Sequence, residues 1–141
     1  MSFDLAIWVG EKPADNTEAL RTFQRLTSSV EGTEPPDPLL RACKREITGR
    51  YPDDLRGLLP GSIWASAPLD VHGPQLYMNL RWDVSDEALD FISRTAAKHG
   101  LVRFDPQKSR VVEPGNLDAL REAHETGYNA FMRFARWLGR R

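Results

Sequence analysis

One cysteine in 141 residues excludes an internal disulfide and any zinc site built from paired thiolates. Cys43 is therefore read as a small, inert apolar group on its helix, and a reducing cytoplasm is the expected compartment. No apolar run approaches the roughly 18 to 20 residues of a membrane span, and MSFDLAIWVG is too short and too acidic for a signal peptide. Membrane and export roles are accordingly not expected. Charge of one sign is also lacking, with 19 basic against 20 acidic residues, which argues against a dedicated nucleic-acid binder.

The local signatures of common chemistry are missing as well. The chain holds no GxxxxGK[ST], GxGxxG, HExxH or GxSxG, so no catalytic residue, metal ligand or cofactor is assigned and no metal requirement is expected. His72, His99 and His124 are far apart. His124 shares a helical stripe with Leu120, Tyr128 and Phe131 and reads as a hydrogen-bonded core residue, while His99 stands at a helix end that favours a cation. The pair Asp86-Glu87 occupies a helix first turn, where exposed N–H groups stabilise negative charge. Asp53-Asp54, in the Pro- and Gly-rich stretch 50–62, is a weaker candidate for a cation or a basic partner.

What is present is a clear succession of elements. FDLAIWV at 3–9 alternates with period two, placing Phe3, Leu5, Ile7 and Val9 on one side and Trp8 on the other. Asp15 with Glu18 resembles a capping box before a helix over 17–29. Asp37-Pro38 opens a second helix ending near 49. Residues 62–69 and 75–82 read as strands joined by a hairpin loop at 70–74. Ser85 caps a third helix that stops at Gly100, strands follow at 101–104 and 110–112, and a fourth, long helix spans about 116–139.

The order β-α-α-β-β-α-β-β-α predicts one α+β domain over 1–141: a mostly antiparallel sheet with packed helices and ferredoxin-like character. Leu5, Ile7, Met78, Leu80, Leu89, Ile92 and Phe104 are expected to converge in one core. Asp105-Pro106 between the last two strands is turn chemistry, the aspartate bonding the backbone ahead while proline presets φ.

The same alternation leaves Trp8, Tyr77, Asn79, Arg81 and Arg103 opposite that core, an aromatic and cationic face of the residue types enriched at binding hot spots. Cover by another element, with the arginine stems lying along it, is the competing reading. Charge is uneven: residues 1–38 hold seven acids against three bases, and residues 127–141 hold four arginines and no acid. On the last helix Arg133, Arg136, Trp137 and Arg140 gather on one side, a second candidate binding stripe.

MSFDLAIWVG together with HGLVRFDPQ resembles a loosely defined family of small, mostly actinobacterial proteins. These open with Met-Ser-Tyr/Phe-Asp-Leu-Ala-Val/Ile-Trp and later carry Gly-Leu-Val-x-Tyr/Phe-Asp-Pro-Gln. The resemblance covers about 20 residues and implies no catalytic residue. It implies by analogy a protein of the kind encoded beside polymorphic toxins, hence an immunity protein. The leading expectation is a non-catalytic domain that binds a protein, a toxin domain being the concrete case, with homo-oligomers left open. A small enzyme or ligand-binding domain using the Trp8/Tyr77/Arg81/Arg103 face is the alternative, and a nucleic-acid-binding accessory protein using the terminal arginines is a further one.

Overall fold

The computed structural model describes residues 2–28, 34–53 and 61–112. The chain there runs β1 (Ser2–Trp8), α1 (Asn16–Ser28), α2 (Pro38–Arg50), β2 (Val71–His72), β3 (Gln75–Arg81), α3 (Asp86–Lys98), β4 (Val102–Asp105) and β5 (Arg110–Val112). This is the expected α+β class and succession. The fourth helix over 116–139, with His124, Arg133, Arg136, Trp137 and Arg140, lies outside the described residues, as does Asp54.

Helix boundaries follow local chemistry. The Asp15 carboxylate accepts from the Glu18 amide at 2.8 Å and the Glu18 carboxylate from the Ala14 amide at 2.8 Å, a reciprocal cap for the first turn of α1. Asp37 accepts from the Leu39 amide at 2.8 Å, with Pro38 in the first turn of α2. Ser85 caps α3 through the Ala88 amide at 3.2 Å. At the other end of α3, Gly100 takes φ 68°. Its amide and that of Leu101 return to the carbonyls of Ala97 and Ala96, each at 3.0 Å, the left-handed ending that glycine permits.

The five strands form one antiparallel sheet in the order β2-β3-β1-β4-β5. Setting α1 and β5 aside leaves β-α-β-β-α-β, the ferredoxin-like succession. The helices α2 and α3 cover one face, where Phe3, Leu5, Ile7, Met78 and Leu80 meet Leu40, Cys43, Ile47, Leu89 and Ile92. The helix α1 covers the other, closing Ala6, Trp8, Val102 and Phe104 under Ala19, Leu20 and Phe23. Two cores thus sandwich the sheet, and Phe104 belongs to the second rather than to the one holding Leu5 and Ile92.

A second correction concerns the strand expected over 62–69. The partner of the first part of β3 is instead β2, with Val71 opposite Leu76 and His72 opposite Gln75 across a two-residue turn. Residues 63–65 touch the far part of β3 only through the Trp64–Leu80 bridge and its flanking bonds. Pro60 and Pro68 bracket this segment, and a residue without an amide proton cannot extend a ladder.

The turn between β4 and β5 does more than reverse the chain. Ala6 faces Phe104 and Ile7 faces Arg103, so the same register would set Pro106 opposite Asp4, where proline has no proton to donate. The carboxamide of Gln107 replaces the missing peptide group. Its Oε1 accepts from the Asp4 amide at 2.7 Å and its Nε2 donates to the Asp4 carbonyl at 2.9 Å. The second Nε2 proton meets Asp105 Oδ1 at 2.6 Å, and Asp105 also accepts from the amides of Gln107 and Lys108, at 2.9 and 3.4 Å.

Removing this amide should loosen the sheet. Gln107→Ala is expected to cost about 1–2 kcal/mol, the net value of a pair of such bonds at a partly solvated site. Gln107→Glu should cost more at neutral pH, because its carboxylate would face both the Asp4 carbonyl and the Asp105 carboxylate. Urea midpoints at neutral and acid pH check this, with the two variants converging in acid; a glutamate variant as stable as the native chain would contradict the pairing.

Candidate functional site

The residues expected to share one aromatic and cationic face do not. Trp8 is 2% exposed, its ring 5.6 Å from that of Phe104, beneath α1. Arg103 is 1% exposed and lies on the opposite side of the sheet, since it faces Ile7 across the β1–β4 ladder. There its Nη1 donates to the Ser93 carbonyl at 3.0 Å and meets the Ser93 hydroxyl on α3. Alternation identified the two sides of β4 correctly but assigned them inversely, because Val102 and Phe104 fill the second core and not the first.

Tyr77, Asn79 and Arg81 remain partly exposed on the α1 face, and all three have internal partners. Asp4, which the sequence reading did not single out, organises two of them. Its Oδ2 accepts from the Tyr77 hydroxyl at 2.7 Å, and its Oδ1 from Asn79 Nδ2 at 2.8 Å and the Ser2 hydroxyl at 2.7 Å. Burial first, and then the Asp4 carboxylate, push the Tyr77 phenol well above its ordinary range. The Tyr77 ring stacks on Phe23 at 6.0 Å, and Arg81 pairs with Asp83 at 3.3 Å. This network ties β1 to β3 and, through Tyr77 on Phe23, to α1.

A further set of exposed and partly exposed polar side chains lies on α2. Leu40, Cys43 and Ile47 form its core stripe, and burial, followed by the nearby Glu46 charge, pushes the Cys43 thiol up to about 12. A thiol so protonated is not a nucleophile at neutral pH. One flank faces α3, where Glu46 receives Lys98 Nζ and His99 Nε2, each at 3.1 Å. Chiefly through the Lys98 bond, its carboxyl is held below the usual glutamate range. On the same flank Arg50 pairs with Glu87 and lies over the rings of Phe91 and Tyr51, at 4.8 and 5.5 Å.

The other flank faces β2. Arg41, Lys44, Arg45 and Thr48 recur at the i, i+3, i+4, i+7 spacing that puts them on one side of a helix. With Pro36, Asp70 and Val71 they line an open groove of about 540 Å³. Among the described residues no ion pair involves Arg41, Lys44 or Arg45. Asp70, on the opposite wall, pairs with His72 at 3.3 Å. The groove can therefore attract carboxylates along the helix while holding one negative charge across from them. Its signal was present in the order Arg41-x-x-Lys44-Arg45-x-x-Thr48 against Leu40, Cys43 and Ile47, but a near-zero net charge concealed it.

Asp53, the described member of the Asp53-Asp54 pair, has a structural partner. Asp53 accepts from the Leu69 amide at 2.7 Å and so anchors the approach to β2. Among the described residues no cluster of three His, Cys, Asp or Glu side chains is placed to hold a metal, and no helix is long and apolar enough to cross a membrane. No protein-family model, curated protein or solved structure matches the chain.

Asp105 supplies a pH test. It is fully buried, and burial raises its carboxyl above the ordinary aspartate value, only partly offset by the bonds from Gln107 and Lys108 and by Arg110. A raised folded pKa means that ionisation weakens the fold as pH climbs from the unfolded value, about 3.9, through the folded one. Asp105→Asn lacks this step yet keeps an acceptor. The stability of the native chain minus that of the variant should thus be greatest in acid and fall towards a plateau near neutrality. Urea unfolding from about pH 3.5 to 7.5 measures it; a difference that increases with pH would have the wrong sign.

Proposed function

We propose that the chain is a protein-binding domain of the immunity type, neutralising a cognate bacterial toxin in the cytoplasm, and that the α2 groove receives an acidic face of that partner. The observation that carries this reading is the set of three cations, Arg41, Lys44 and Arg45, that the described fold leaves without a carboxylate. Solvated cations on one helix flank add little to stability but steer association and select a complementary partner. The resemblance of the two ends to small proteins encoded beside polymorphic toxins supports the identity of that partner.

Asp70 in the opposite wall and the net charge of −1 favour a protein over a nucleic acid, since a phosphate backbone would meet repulsion along its length. The small-enzyme alternative loses its proposed face, because Trp8 and Arg103 are buried on opposite sides of the sheet.

Co-expression with the products of the adjacent genes tests the proposal. A toxic neighbour should be silenced and should co-elute with this chain, and Arg41→Glu/Lys44→Glu/Arg45→Glu should weaken the complex at least tenfold without changing the melting temperature appreciably. Raising salt should weaken the native complex in the same direction. No silencing by the folded native chain would overturn the function; silencing indifferent to the triple reversal would overturn the site.

A further inference from the structure

Resting on that reading, we infer that the part of the partner entering the groove is an extended acidic segment laid along the outer edge of β2. Among the described residues the sheet ends at β2, and Val71 of β2, with Asp70 just before it, forms one wall of the groove. His72 and Gln75 flank a two-residue turn, and in such a hairpin that pair exchanges its backbone bonds inward. The next residue, Val71, then directs its amide and carbonyl away from β3. Among the described residues no other backbone group bonds to them. Its side chain is meanwhile held in the first core, so this edge is fixed in position.

A strand added here would present every second side chain to α2. The helix offers Arg41, Lys44 and Arg45 on successive turns at that flank. Acidic residues at alternate positions would meet these cations, while the main chain pairs with Val71. Asp70 makes the match selective, because a uniformly anionic ligand must lie against it, whereas a peptide can set an uncharged residue there. A helix in the same groove would satisfy the cations but leave the Val71 backbone unpaired.

The test uses the full ¹⁵N-labelled chain and a ten-residue synthetic peptide that alternates Glu with Thr or Val. The expected result is chemical-shift change at Val71 and His72 together with Arg41, Lys44 and Arg45, and at least tenfold slower exchange of the Val71 amide. A peptide with Lys for Glu should bind at least tenfold more weakly. So should the acidic peptide N-methylated at alternate residues on the edge that would pair, which keeps its charge but removes those donors. Equal binding by the N-methylated peptide, by a helical Glu/Ala peptide or by a single-stranded oligonucleotide would overturn the inference, as would unchanged Val71 exchange at saturation. If the peptide fails while a toxin complex remains sensitive to the triple reversal, strand addition falls and the function stands. If the peptide binds as expected and no neighbour is silenced, the function falls and the edge site stands.

Discussion

The fold depends on the central strand being buried on both sides. Helices cover both faces of the sheet, so β1 has almost no position that can be given to solvent: Phe3, Leu5 and Ile7 fill one core, Ala6 and Trp8 the other. A strand in that situation must also complete its backbone bonds on both edges, because a buried peptide group left without a partner is costly. Along one edge β3 pairs with all seven residues. Along the other, β4 supplies Val102 to Phe104 and the side chain of Gln107 supplies the partner for Asp4.

This requirement also accounts for the residue types in two segments, MSFDLAIWVG and HGLVRFDPQ. The opening strand and the Asp105-Pro106-Gln107 turn meet in space, the glutamine on the Asp4 backbone and the aspartate beneath it. Their residue types are explained by strand pairing and by the turn, with no ligand needed. A short pattern of this sort records how a sheet is closed; what the protein recognises must be read from another surface.

Most of the architecture was legible in the sequence. Caps at Asp15, Asp37 and Ser85 and the stop at Gly100 mark helix ends through local bonds that need no tertiary context. What period two cannot report is which core a side belongs to when both sides have one, and so Arg103 and Phe104 were exchanged. The long segment 62–69 misled for a related reason: Ile63, Trp64 and Leu69 are apolar because they pack, yet only Trp64 bridges β3. The α2 groove was missed because its cations lie in mid-chain, balanced by acids that serve elsewhere, whereas the contrast between the chain's two ends was conspicuous.

The two flanks of α2 divide labour in a way that bears on how such a protein can change. Glu46 and Arg50 fasten the helix to α3, and Leu40, Cys43 and Ile47 fasten it to the sheet. The remaining flank has no part in either attachment. Substitutions there alter the surface charge while the helix stays docked, and they meet little of the penalty that accompanies changes in a packed interior. If the proposed function holds, a scaffold arranged like this could follow a drifting partner, exchanging one specificity for another at three or four positions, without first acquiring stability to spare.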